Sequence, residues 1–130
     1  MTMIDPAAAY LAKAEESLAG ADSEFTAGRY NNCANRCYYA CYQAAIAALL
    51  RAGIRPQGDW SHAFVQARFA GELINRRKTY SAEFRDVLSR NYTVRRTGDY
   101  ETEAVSRTGA ERALARTRTF VQSIVARERT

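Results

Sequence analysis

Apolar side chains recur along this chain at three- and four-residue steps, the period of a helix buried along one face. Asp5-Pro6 supplies an N-cap acid and a proline for the first helical position. Behind it, Ala7, Leu11, Ala14, Leu18, Ala21 and Phe25 form a stripe that Gly28 ends. A second helix is predicted from about Asn31 to Ala52, closed by Gly53 with Pro56 beyond. Asp59 or Ser61 can cap a third, with Val65, Phe69 and Leu73 inward, and Ser81 can cap a fourth, with Phe84, Val87, Leu88 and Tyr92 inward. Thr108-Gly-Ala-Glu111 reads as a capping box opening a fifth helix, which buries Leu114, Thr117, Val121 and Ile124 or Val125. The chain shows no convincing strand. The expectation is therefore all-α: an antiparallel up-and-down bundle of four to five helices, formed by residues 1–130 as a single domain. Only Thr97 to Arg107 reads as a longer polar connection, with Gly98 ending the turn and Asp99 and Tyr100 opening the loop.

The second helix carries the densest chemistry. Cys33, Cys37 and Cys41 fall on one side of it, continued by Ala44, Ala45 and Ala48, with Tyr38, Tyr42 and Leu49 beside them. Closed zinc and iron–sulfur sites need four ligands, usually with a C-x2-C clip, and His62 is the only histidine available to complete a set. The cysteines are read as small core residues that let a partner helix approach, and no metal or cofactor is expected. An odd number of cysteines on one helix is no disulfide framework and points to a reducing cytoplasm. A separate face of the same helix repeats polar groups, Asn32, Arg36, Tyr39 and Gln43. Such groups must meet solvent, an internal network or a groove, because burying them unpaired costs roughly 1–3 kcal/mol each.

Charge sharpens the picture. The net charge of +5 is uneven: residues 1–50 sum to −2 and residues 51–130 to +7, and nearly all the bases are arginine. An arginine fork suits bidentate phosphate contact, so a polyanionic partner is one reading and solvated helix faces the other. No uncharged apolar stretch is long enough to span a bilayer. The opening MTMIDPAAAYLAKAEE carries acids and no basic segment, so no signal peptide is expected.

The last constellation is VRRTGDY, Val94 to Tyr100. Arg95 follows Leu88 by seven residues and Phe84 by eleven, which aims it from the apolar face at the end of helix four. There it is either a structural ion pair with a neighbouring acid or a cation at the mouth of the bundle, close to the polar stripe of helix two. His62, three residues before Val65, sits on a core-facing edge as a packing residue or as an acid/base.

Taken in order, YNNCANRCYYACYQAA from Tyr30 to Ala45, Ser61-His62, and RRTGDY from Arg95 to Tyr100 resemble the HEPN domain family, in its small stand-alone branch with R-x3-D-Y after helix four. The resemblance implies an antiparallel helical bundle, usually a homodimer, with a cleft between helices two and four. It further implies binding of RNA or nucleotide phosphate, and a toxin–antitoxin-like pairing with a minimal nucleotidyltransferase. Many members are metal-independent endoribonucleases with an R-x4–6-H signature. The positions where that histidine is expected after Arg95 hold Tyr100, Glu101 and Thr102, and those after Arg96 hold Glu101, Thr102 and Glu103. An acid or base near neutral pH is therefore missing from its usual place. Carried residue by residue, the resemblance puts Arg95, Asp99 and Tyr100 in the catalytic positions and Arg36, Tyr39, His62, Arg95 and Arg96 in the RNA- or nucleotide-binding ones. Tyr100 is also the position at which a partner nucleotidyltransferase would attach a nucleotide. The alternatives are an endoribonuclease in which His62 or Tyr100 replaces the missing histidine, and a non-catalytic helical interaction module.

Overall fold

The structure, a computed structural model, describes residues 4–129. It is helical throughout, in the order α1 (Pro6–Thr26), α2 (Tyr30–Arg51), α3 (His62–Arg68), α4 (Val87–Tyr100) and α5 (Arg107–Glu128). Caps fix several of the starts. Asp5 accepts from Ala7 N at 3.0 Å, Ser61 from Phe64 N at 3.1 Å and Ser106 from Gly109 N at 2.9 Å. Gly28 and Gly53 close α1 and α2 at positive φ, each with the next residue's N–H bonded five residues back (Arg29 to Glu24, Ile54 to Leu49). That pairing satisfies carbonyls the helix would otherwise orphan.

α2 is the hub, packing against α1, α4 and α5. Cys33, Ala34, Cys37, Ala40, Cys41, Ala44, Ala45, Ala47 and Ala48 are all fully or almost fully buried, and their small size lets three helices close around one axis. Two apolar clusters result. The larger joins the second half of α2 to Leu11, Val65, Phe69, Leu73, Phe84, Leu88, Phe120 and Ile124. The smaller joins Ala21, Cys33, Ala34, Cys37, Val105, Ala110, Ala113 and Leu114. Between them lies a buried polar knot. Asn91 Nδ2 donates to Thr117 Oγ1 at 2.9 Å and lies 3.2 Å from Cys41 Sγ, while its Oδ1 accepts from Arg116 Nε at 3.0 Å.

Four details depart from the sequence expectation. α3 runs on as a π-helical segment, Phe69–Arg76. Ser81 caps only a single 3₁₀ turn, Ala82–Phe84, and α4 begins afresh at Val87. Helix α5 starts one turn-fraction earlier than the capping box suggests, with Ser106 as the cap. The largest correction concerns Gly98, Asp99 and Tyr100, which belong to the last turn of α4 and not to a loop. Gly98 serves there for closeness: a Cβ on it would sit 3.2 Å from the Asn31 Cα of α2 and 3.2 Å from Val105 Cγ2. No helix among the described residues is long and apolar enough to cross a membrane.

Candidate functional site

The close approach at Gly98 brings the end of α4 against the start of α2, and the polar residues singled out from sequence meet there. Asn31 Oδ1 holds the following segment by accepting from Val105 N at 2.9 Å. On α4, Asn91, Arg95 and Asp99 recur every four residues and so share the face turned toward α2. Asp99 Oδ2 accepts from Asn35 Nδ2 at 3.0 Å and lies 3.2 Å from Arg95 Nε. Asn35 Oδ1 in turn accepts from Arg36 Nε at 3.0 Å and Nη2 at 2.6 Å. Arg36, Asn35, Asp99 and Arg95 therefore form one relay in which a single carboxylate ties two cations across the helix pair.

Arg95 is the centre. Its guanidinium carbon lies 5.2 Å from the Tyr38 ring centroid, 5.3 Å from Tyr39 and 5.6 Å from Tyr100. Nη2 donates to the Tyr100 hydroxyl at 3.2 Å. Nε is buried, close to Asp99 but not aligned to hydrogen-bond it, so it is left without a hydrogen-bond partner. The side chain is 16% exposed, mostly buried but not sealed from solvent. Cation–aromatic contacts and the partial ion pair hold the charge in place without saturating its donors.

His62 enters from the start of α3. Its Nδ1 is 3.0 Å from the Tyr38 hydroxyl, and its ring stacks on Tyr92 with centroids 4.2 Å apart and planes at 22°. Burial, with the Arg95 charge added to it, pushes the imidazole below its ordinary pKa, so it is neutral at pH 7. Burial likewise raises the Tyr38 phenol to about 12, which keeps it protonated. A neutral imidazole beside a protonated phenol can accept its hydrogen bond, leaving the other ring nitrogen available.

All of Arg36, Tyr39, His62, Arg95, Arg96, Asp99 and Tyr100 thus lie at one end of the bundle. Arg95 meets Tyr39, Asp99 and Tyr100 directly; Arg36 sits 5.2 Å from the Tyr39 centroid; Arg96 lies 6.0 Å from Tyr92 and 5.6 Å from Tyr100. His62 joins through Tyr38 and Tyr92 rather than by touching Arg95. Sequence reasoning missed Asn35 and Asn91 and placed Tyr38 beside the cysteines without giving it a role. The four-residue spacing of Asn91, Arg95 and Asp99 was the available signal. The polar stripe on α2 divides: Asn32 is exposed against Glu24, and Gln43 pairs with the Ser17 hydroxyl at 2.8 Å, both away from the relay.

No curated protein matches the chain. The family model for the HEPN domain matches residues 7–128, nearly the whole of it. With helices, α2–α4 seam and sequence match in agreement, the chain belongs to the HEPN domain family.

Proposed function

We propose that this HEPN-domain protein binds RNA or nucleotide phosphate at the α2–α4 end of the bundle, as one member of a toxin–antitoxin-like pair with a minimal nucleotidyltransferase. The observation that carries the reading is Arg95, partly exposed and held among three tyrosine rings, flanked by Arg36 and Arg96. Three guanidinium groups gather here beside Asp99, with Glu101 and Glu103 only beyond the helix end, and a guanidinium fork matches a phosphate's oxygens. The Tyr100 hydroxyl, on an exposed ring beside two arginines, suits a nucleotidyl acceptor. The proposal includes a homodimer working in the cytoplasm, which sedimentation and cell fractionation check.

The test is anisotropy binding of a labelled RNA oligomer across a salt series. Affinity should fall with salt at a log–log slope of roughly −0.7 per phosphate neutralised. Arg95→Ala should abolish binding and Arg96→Ala should flatten the slope by about one phosphate's worth. Absence of binding at low salt would leave the relay as a device that only ties α4 to α2, the interaction-module reading. An adjacent nucleotidyltransferase gene supports the pairing, and its absence counts against it.

One observation favours a second reading, an endoribonuclease with a displaced acid/base. The Tyr38–His62 contact at 3.0 Å puts a neutral imidazole at the same end as Arg95. RNA cleavage in the presence of a chelator, lost in His62→Gln while binding persists, would establish it.

A further inference from the structure

A ladder of rings and guanidinium groups climbs one face of α4. Tyr92, Arg96 and Tyr100 recur every four residues, so they line up along the helix at steps of about 6 Å. His62 closes the lower end by stacking on Tyr92. Arg96 fills the rung between the two phenols, and Tyr100 forms the open upper end. Tyr100 is 64% exposed and, among the described residues, is the one exposed aromatic residue, the others being buried or half-buried.

Two cations approach Tyr100 without closing it off. Arg95 also reaches its hydroxyl, with Nη2 3.2 Å from the oxygen. Both guanidinium carbons lie over the ring at 5.6 Å from the centroid, well beyond the about 3.5–4 Å of a stacked plane, and the residue keeps 64% of its surface exposed. A flat apolar surface is therefore presented to water between two fixed positive charges. Packing gives no reason for it, since the ring touches neither apolar cluster. The acids nearby set a direction. Asp99 is engaged by Asn35 and Arg95, but Glu101 and Glu103 are exposed just beyond the helix end and repel phosphate there. A polyanion crossing Tyr100 must therefore run back along α4 past Arg96 toward His62.

We propose that Tyr100 is a base-stacking platform, and that the ligand is single-stranded RNA which lays an unpaired base on this ring while Arg95 and Arg96 hold its phosphates. The proposal rests on the phosphate-binding reading above and narrows it. A free phosphate has no use for the ring, and a duplex keeps its base faces stacked internally. An unpaired strand offers both a π-face and flanking charge, the combination that single-strand grooves use.

The experiment compares three probes at one fixed salt concentration: an oligoadenylate, the same strand with abasic residues, and a blunt RNA duplex of equal length. Each is titrated by anisotropy into the parent, Tyr100→Phe and Tyr100→Ala. The parent should bind oligoadenylate roughly tenfold more tightly than the abasic strand. Tyr100→Phe, which keeps the ring, should retain that preference. Tyr100→Ala should lose it, binding both strands at the abasic level with an unchanged salt slope and melting temperature. Equal affinity of the parent for base-bearing and abasic strands, duplex binding as tight as single-strand binding, or an unaltered preference in Tyr100→Ala would overturn the platform while phosphate binding stands. If no probe binds the parent even at low salt, the phosphate reading itself fails, and the platform with it.

Discussion

Replacing Asn91 with leucine would show how much of the bundle depends on the polar knot between its two apolar clusters. Asn91 is 1% exposed, and leucine has the same number and branching of heavy atoms with bulkier methyl groups, so no cavity is left and the hydrogen bonds are lost with some overpacking besides. Arg116, half-buried, loses the acceptor of its Nε, which costs about 1–2 kcal/mol because part of the guanidinium can still turn to water. Thr117 loses a donor but keeps its own bond to Ala113 O at 2.6 Å, so its share is about 1 kcal/mol or less. These hydrogen-bond losses sum to about 1–3 kcal/mol, a fall of roughly 3–15 °C in Tm for a chain of this size. Thr117→Val alone takes from the Asn91 amide its shortest acceptor, leaving only the longer contacts to Cys41 Sγ and Cys37 O, and should also destabilise. With both substitutions the polar partners vanish together, so the double variant should be more stable than the sum of the single losses allows, by about 1 kcal/mol. Urea melts followed by helical circular dichroism give the cycle. An Asn91→Leu loss below about 0.5 kcal/mol, or strict additivity of the pair, would refute the claim that these groups act as a unit.

The remaining expectations are simpler. His62 titrates lower in the folded chain than its ordinary value near 6.5, so below that pH the unfolded state holds the extra proton. Stability should therefore be level above about pH 7 and decline as pH falls through 6.5, and the gap between parent and His62→Gln should vary over that window; a pH-independent gap would contradict it. Ser106→Ala removes the α5 cap and should cost about 1 kcal/mol, read as a Tm lower by roughly 3–5 °C. Cys33, Cys37 and Cys41 are completely buried, so a thiol reagent should label them only as fast as the protein opens; immediate labelling of any one in native buffer would show the core to be looser than described.

The stripes of α1, α2 and α5 could be read in advance because each buries residues at helical period and ends at a glycine or begins at a cap. Gly98 misled for a physical reason: glycine marks helix ends when it adopts positive φ, and this one instead grants α2 a close approach from within a helix. That single misreading placed Asp99 and Tyr100 on a loop. Ser81 has the chemistry of a helix start and does cap a turn, but that turn is 3₁₀, and nothing local in Ala82 to Asp86 reveals that the chain restarts at Val87. For the site, Arg36, Arg95, Asp99 and Tyr100 were visible as charge and spacing. The stacking of His62 on Tyr92 and its bond to Tyr38 were not, since they depend on how α3 is laid across the α2–α4 pair.

The relay at the α2–α4 seam also has a consequence for synthesis of the chain. Asn35 and Asp99 are 64 residues apart, and Asn31 and Val105 are 74 apart, whereas α1 and α2 form a consecutive hairpin. The hairpin can close while the chain is still being made; the cationic end cannot, because its long loop must be closed first. A nascent protein emerging from the ribosome therefore carries α2 with Arg36 and Tyr39 but no Arg95 to complete the constellation. The binding proposed for this end can begin only after α4 has been translated and docked, so topology alone withholds it from the half-made chain.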